Sequence, residues 1–225
     1  MSKNILAVFA HPDDCELKAF GTLRKYQDLG YNVFLLIACC GSGGIAVQDQ
    51  EQKNINVVQE NRISETEKAL ENYNFNIKVL NYNDGNIFLS RDLIIDIEKV
   101  VKKIMPEIII THFYDIMGVD HQDHASVSKA TINVASRCSF VNKILLCEPL
   151  MTLRSSFTPN VFVDITSHFE EKIEALQKHN SQHGRFYLER IYQENKASFY
   201  AGSASYDDLK AAKKYEAFQL IFEKF

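Results

Sequence analysis

Residues Ile5 to Glu16 read Ile-Leu-Ala-Val-Phe-Ala-His-Pro-Asp-Asp-Cys-Glu, and the reading of this stretch decides the rest. The unbroken apolar run Ile5–Ala10 suits a central strand covered on both faces, the pattern of a parallel sheet. Pro12 stops the strand, and His11, Asp13, Asp14 and Glu16 crowd just past its end. In open α/β sheets, ligands sit at the carboxyl ends of strands, so a buried strand opening into a reactive loop is predicted.

Outward from this stretch, strand-like and helix-like patterns alternate. Phe20, Leu23 and Tyr26 give a helix over 19–29, with Gly30 as its stop. Apolar runs at Val33–Ala38, Ile77–Leu80, Ile108–Thr111 and Ile144–Cys147 predict further strands. Helical spacing occupies the intervals 48–73, 93–104 and 125–138. The middle one carries the clearest apolar stripe, with Ser90 as N-cap and Pro106 as terminator. Four strand-then-helix repeats ahead of a fifth strand predict an α/β fold: a Rossmann-like three-layer sandwich with a mostly parallel central sheet, formed by residues 1–225 as one domain. Beyond Pro149 the pattern changes. Val161–Ile165 suggests a strand, Ser167 with Glu170 a capping box, and the tail from Arg185 reads as mainly helical, with Tyr215–Leu220 as a closing strand or a turn.

With 225 residues, 46% hydrophobic and 24% charged, the chain resembles ordinary globular proteins, which disfavours disordered and membrane classes. A net charge of −4 without a Lys/Arg cluster lacks the footprint of a nucleic-acid binder. No apolar stretch reaches membrane-spanning length, so a cytoplasmic protein with no membrane partner is expected. Five cysteines without a CxxC pair support neither a disulfide framework nor a thiolate zinc finger. Cys15, inside the reactive loop, reads as a small packing residue. The loop Gly41-Ser42-Gly43-Gly44 follows the second strand but is neither GxGxxG nor a Walker sequence, so a glycine-rich turn or a lip over a pocket is the better reading.

The chemistry lies in two clusters at strand ends. His11, Asp14 and His124 supply two imidazoles and a carboxylate, a set that suits zinc with a fourth position left for water. Such a metal lowers the pKa of its water to roughly 7. The same ligands also suit Fe2+ or another divalent ion. Asp13, beside Asp14, is the candidate general base. His121 would face the substrate from the other side, with Asp123 holding its imidazole and favouring its protonated form. Arg62 and Glu65, three residues apart on a helix face, read by themselves as an intrahelical ion pair. Two buried strands ending in His/Asp clusters give the site its coherence, since a sheet brings such ends together.

Ala10-His11-Pro12-Asp13-Asp14-Cys15-Glu16 with Gly21-Thr22-Leu23 resembles the AHPDDxE…GTL signature of the LmbE/PIG-L-like family of zinc-dependent N-acetyl-sugar deacetylases, and His121-Gln122-Asp123-His124 resembles its HxDH motif. Further likeness lies in Arg62 and Glu65, Asp84-Gly85, Val163-Asp164-Ile165-Thr166, Ser181-Gln182 and Tyr215-Glu216-Ala217-Phe218. The resemblance implies His11, Asp14 and His124 as zinc ligands, Asp13 as base, and His121 as the group that stabilises the oxyanion or protonates the leaving amine, with Asp123 in support. It implies Arg62 and Asp84 as substrate contacts, and a GlcNAc-type amino-sugar conjugate as the small-molecule partner. It leaves a homo-oligomer open. Two departures, Ser42-Gly43-Gly44 where an acidic residue is frequent and Gln122 where proline is common, bear on the identity of the conjugate. Three functions compete: N-deacetylation of an amino sugar, metal-dependent hydrolysis of a non-sugar acyl amine, and nucleotide binding. The last predicts a glycine fingerprint after the first strand, where the sequence has His-Pro-Asp-Asp.

Overall fold

The structure is a computed structural model that describes residues 3–44, 55–115, 120–150 and 152–224. Its strands are β1 (Asn4–Phe9), β2 (Asn32–Cys39), β3 (Asn76–Tyr82), β4 (Ile108–His112), β5 (Lys143–Cys147), β6 (Val161–Asp164) and β7 (Tyr215–Glu223). They form one sheet in the order β3-β2-β1-β4-β5-β7-β6. The first five are mutually parallel, whereas β7 runs antiparallel to both β5 and β6. The expected three-layer sandwich is therefore present. The α-helices among the described residues are α1 (Asp14–Lys18), α2 (Phe20–Asp28), α3 (Ile55–Leu70), α4 (Arg91–Ile104), α5 (Gln122–Ala135), α6 (Phe169–Leu176), α7 (Arg190–Ala204) and α8 (Tyr206–Lys210), joined in places by short 3₁₀ turns.

Alternation along β1 explains both cores. Leu6, Val8 and Ala10 point into one apolar layer with Leu93, Ile97 and Val101 of α4 and Val127 and Val134 of α5. Ile5, Ala7 and Phe9 point into the other, with Phe20 and Leu23 of α2, Ala175 of α6 and Phe218 of β7. Both faces of β1 are covered, as its unbroken apolar run requires. Truncation of the fully buried Phe9 to Ala should cost about 3–5 kcal/mol, a large part of a typical net stability of about 5–15 kcal/mol.

Ends of elements follow local chemistry. At α4 the Ser90 hydroxyl accepts the Leu93 N–H at 3.2 Å, as its N-cap position predicts. The α4 C-terminus closes on Met105, which takes a left-handed conformation at φ 52°. Gly30 ends α2 at φ 84°, where a side chain would be strained. Of the predicted helix over 48–73, residues 48–54 lie outside the described residues, α3 supplies 55–70, and 71–73 form a turn.

The C-terminal third departs from the sequence reading at Ser167 and resolves the alternative left at Tyr215–Leu220. Ser167 caps no helix: Asp164 accepts the N–H and hydroxyl of Thr166, the chain makes a 3₁₀ turn over Thr166–His168, and α6 begins after it. Glu170 pairs instead with Arg190. The tail is helical only to Lys210. Of the closing strand or turn expected at Tyr215–Leu220 the strand forms: Tyr215–Glu223 is inserted between β5 and β6, because its aromatic and branched side chains gain by pairing with chain more than 50 residues away.

This insertion ties several sequence elements together. Glu216 of β7 accepts the N–H groups of Thr22 at 2.8 Å and Gly21 at 3.2 Å, and pairs with Lys172 of α6 at 2.7 Å. Gly21 packs so tightly on Ile165 that a Cβ would stand 2.6 Å from the Ile165 Cβ. The Gly21-Thr22, Val163–Thr166 and Tyr215–Phe218 segments are thus one junction that fixes the first helices beneath the β1 loop.

Candidate active site

The backbone beyond β1 turns back on itself. The Asp14 carboxylate accepts the His11 N–H at 2.9 Å, and Asp13 is held at φ 90°, a left-handed conformation that costs a residue with a Cβ about 1–3 kcal/mol. Arg62 of α3 braces this turn. Its Nη2 donates to Pro12 O at 2.9 Å and to Asp13 Oδ2 at 3.0 Å, and its Nη1 donates to Gly41 O at 2.5 Å. Arg62 therefore makes no helical pair with Glu65. Glu65 accepts the N–H and hydroxyl of Ser181 at 2.8 and 2.6 Å, which joins the Arg62/Glu65 and Ser181-Gln182 elements.

Strands β1 and β4 are neighbours, so the loops beyond them meet. His11 Nδ1 lies 3.0 Å from His124 Nε2, Asp14 Oδ1 lies 3.3 Å from that Nε2, and Asp14 Oδ2 lies 3.5 Å from His11 Nδ1. His11, Asp14 and His124 are all buried, with one ligand atom each within 4.8 Å of the others. Two imidazole nitrogens at this separation need a cation or a shared proton between them, because neutral ring nitrogens with lone pairs face to face repel. The donor set fits a divalent cation.

The far sides of both rings are backed by carboxylates. His11 Nε2 is 3.0 Å from Asp84 Oδ1 and 3.3 Å from Asp123 Oδ2, and His124 Nδ1 is 2.7 Å from Asp120 Oδ1. This is the arrangement that fixes the tautomer and orientation of metal-binding histidines and raises their basicity. Burial opposes charge on His11, but Asp123, Asp14 and Asp84 outweigh it and hold its pKa well above the ordinary value. Burial likewise opposes His124, whose pKa is nevertheless raised by Asp14 and Asp120. Although burial pushes Asp14 up, His124 and His112 hold its carboxyl well below the usual range. Asp84 is lowered to about 2, burial being overcome by His11 and the Gly43 N–H.

Asp13 is governed the other way. Burial raises its pKa, against the pull of Arg62 and with help from the charge on Asp14. His121 caps α5: its Nδ1 accepts the Asp123 N–H at 3.2 Å, which leaves Nε2 as the N–H donor of the neutral ring. Burial and the neighbouring His11 and His124 lower its pKa. Asp123 meets His121 through its backbone. Its carboxylate accepts the N–H groups of Gly85 at 2.7 Å and Ile87 at 3.0 Å, and its Oδ2 stands 3.7 Å from His121 Nδ1. Asp84 Oδ2 accepts the Gly43 N–H at 2.6 Å, so the glycine-rich loop is a turn fastened to Asp84 and Arg62.

Three residues near His11, Asp14 and His124 carry no role in the sequence reading. Asp120, one turn before His124, is the carboxylate behind that ring, and the Asp-x-x-x-His spacing at a helix start was its only signal. His112, at the end of β4, stacks under His124 with centroids 3.9 Å apart and planes at 4°. Lys18 is buried with its ammonium 3.3 Å from Asp120 and 4.0 Å from Asp14. Glu16, unassigned from sequence, forms a fully enclosed pair with His179 at 3.1 Å. Cys15 is buried in the apolar core, consistent with packing.

His11, Asp13, Asp14, Arg62, Asp84, His121 and His124 line one cavity of about 440 Å3. It lies at the carboxyl ends of the parallel strands, where such sheets bind ligands. No helix among the described residues is long and apolar enough to cross a membrane.

Residues 6–135 match the PIG-L family, described as GlcNAc-PI de-N-acetylase. A curated relative, the probable N-acetyl-alpha-D-glucosaminyl L-malate deacetylase 2 of Bacillus cereus, is 29% identical over 188 residues, covering 81% of this chain and 84% of that protein. Among solved structures, the N,N'-diacetylchitobiose deacetylase of Pyrococcus horikoshii superposes with a TM-score of 0.82 at 23% identity, over 98% of this chain and 84% of that one. GalB, the 4-carboxy-2-hydroxymuconate hydratase of Pseudomonas putida, superposes with a TM-score of 0.80 at 19% identity, over 99% and 98%. These two likenesses show the fold, whereas the family match covers more than half of the chain. The chain belongs to the PIG-L (LmbE-like) family and is a deacetylase, a hydrolase acting on an amide C–N bond.

Proposed function

We propose that this protein removes the N-acetyl group from a GlcNAc-type amino sugar or its conjugate in a zinc-dependent hydrolysis that releases acetate and the free amine. The observation that carries the reading is the convergence of His11, Asp14 and His124 at the cavity wall, with His11 Nδ1 and Asp14 Oδ1 at 3.0 and 3.3 Å from His124 Nε2 and with Asp13 and His121 lining the same cavity. His11, Asp14 and His124 would hold the metal. A divalent cation so held supplies Lewis acidity, acidifying water toward neutrality and polarising the amide carbonyl.

The protein's own groups do the rest. Asp13, raised by burial, takes the proton of the attacking water, and Arg62 keeps its carboxylate aimed from a strained turn. His121 offers its Nε2–H to the oxygen on which negative charge develops, or to the departing nitrogen, while the Asp123 N–H fixes the ring. The Asp123 carboxylate is a positioning group that ties the Gly85–Ile87 loop to His11. Asp84 and Arg62 line the cavity, where their outer atoms meet the sugar.

The test is acetate release from a panel of N-acetylated amino-sugar conjugates, measured before chelation, after chelation and after zinc is restored. Chelator-sensitive release recovered by zinc is expected. Silence across the panel together with hydrolysis of simple acyl amines would replace the sugar reading with a non-sugar amidase.

A further inference from the structure

A second cavity of about 500 Å3 adjoins the catalytic one, and Leu150 walls both. The adjacency follows from the sheet: the ligands hang from the ends of β1 and β4, β5 is the next strand over, and Glu148 and Leu150 lie just beyond its end. The walls of this cavity are apolar and aromatic, formed by Leu150, Tyr192 and Phe199. Phe199, on α7, is 65% exposed.

The charges of the cavity are unequal. Glu148 is neutralised within it, paired with Lys196 at 2.6 Å and accepting the Thr152 hydroxyl, and the Lys196 ammonium also lies 5.7 Å from the Tyr192 ring centre. That leaves Arg154, exposed, its guanidinium without a hydrogen-bond or ion-pair partner among the described residues, beside the equally unpartnered amide of Asn195. One net positive charge over flat apolar walls calls for an anion borne on a flat apolar group. Arg matches carboxylate geometry with two parallel N–H donors.

The geometry points to this cavity as the subsite for the aglycone, and to a substrate whose aglycone is an aryl group bearing a carboxylate. The inference rests on the proposed deacetylation of an amino sugar. The sugar presents its acetamide to His11, Asp14 and His124, while the aglycone passes Leu150, stacks between Tyr192 and Phe199, and gives its carboxylate to Arg154.

The test compares four compounds on the zinc-loaded enzyme: methyl, phenyl and 4-carboxyphenyl N-acetyl-β-D-glucosaminide, and diacetylchitobiose. The expected order of KM is carboxyphenyl below phenyl below methyl. Arg154→Gln raises KM about tenfold for the carboxyphenyl compound alone. Asn195→Asp, which adds a repelling charge at an exposed position, does the same. Phe199→Ala raises KM for both aryl compounds, and the methyl glycoside is unmoved by all three. Equal KM values for the three glucosaminides, a carboxyphenyl advantage that survives both charge variants, or a preference confined to diacetylchitobiose would each overturn the inference. Binding of 4-carboxyphenyl β-D-glucoside, which has no acetamide to cleave, is measured by calorimetry in parallel. Arg154-dependent binding without acetate release from any compound would refute the deacetylase reading and leave the subsite standing.

Discussion

Arg62 Nη2 stands 3.0 Å from Asp13 Oδ2, and both side chains are enclosed. The same guanidinium holds Pro12 O and Gly41 O, so one side chain fastens the left-handed turn at Asp13 to the glycine-rich loop. Its geometry is that of a positioning group for Asp13, the proposed base. Arg62→Ala should retain metal and lower kcat about 100-fold, the effect of a misplaced reacting group. Leaving the buried carboxylate unpaired should cost about 3–5 kcal/mol, seen as a fall in Tm on the order of 10 °C. Arg62→Lys should fall between, because one ammonium cannot reproduce three contacts. A rise in KM with kcat and Tm intact would show Arg62 to be a substrate contact only.

The ligand and base roles separate by metal content. His11→Ala and His124→Ala should lose metal and activity together, while Asp13→Ala keeps the metal and loses hydrolysis. Asp120→Asn, which weakens the support of His124 at 2.7 Å, should lower metal affinity about 10–100-fold. Metal emission spectroscopy after dialysis, alongside acetate release, checks all four variants. Equal metal loss in Asp13→Ala would remove Asp13 from the role of base.

Much of this site was legible because its parts are short in sequence and lie at strand ends. Ile5–Ala10 suits a doubly covered strand, and a second buried strand opening into the loop that carries His121 and His124 brings His124 close to His11 and Asp14. The hidden parts were those whose partners are remote. Arg62 and Glu65 share a helix face, yet one reaches Asp13 and the other Ser181, 116 residues away. Asp123 looked like the orienter of His121, but two backbone donors at Gly85 and Ile87 hold its carboxylate, and loop N–H groups leave no trace in a sequence. The same remoteness left Tyr215–Leu220 open between a strand and a turn, since the strand character of β7 depends on β5 and β6.

Metal uptake should be coupled to proton release. His11, with its pKa well above the ordinary value, holds a proton near neutrality in the metal-free protein, and a ligand must be neutral. Apparent zinc affinity should therefore rise with pH above about 6.5. The folded pKa of His11 is raised, so its contribution to metal-free stability is complete below the unfolded value and fades as pH rises through the folded one. Between pH 6.5 and 8, chelated protein should lose up to about 1.4 kcal/mol per pH unit for one such proton, while zinc-loaded protein should not. Calorimetry in buffers of different ionisation enthalpy measures the released proton, and thermal melts of both forms measure the slopes. A chelated protein that gains stability over this interval would contradict the assignment.

The Glu216 junction makes a prediction about stability that is independent of the chemistry. Its carboxylate is 5% exposed, accepts two N–H groups at the start of α2 and pairs with Lys172, which also donates to Leu17 O at 3.0 Å. Glu216→Ala strips partners from a buried ammonium and two backbone donors at once, and should cost about 3–5 kcal/mol. Gly21→Ala should cost about 1–3 kcal/mol, because a Cβ 2.6 Å from that of Ile165 forces α2 or β6 to move. These losses should appear in urea unfolding as lower midpoints at unchanged slope, with metal content at saturation intact. Lys172→Met with Glu216→Ala should be less destabilised than Glu216→Ala alone, since the stranded charge is gone while two backbone donors remain unpaired. A double variant no better than the single one would mean that the N–H groups of Gly21 and Thr22, and not the ammonium, are what Glu216 is there to satisfy.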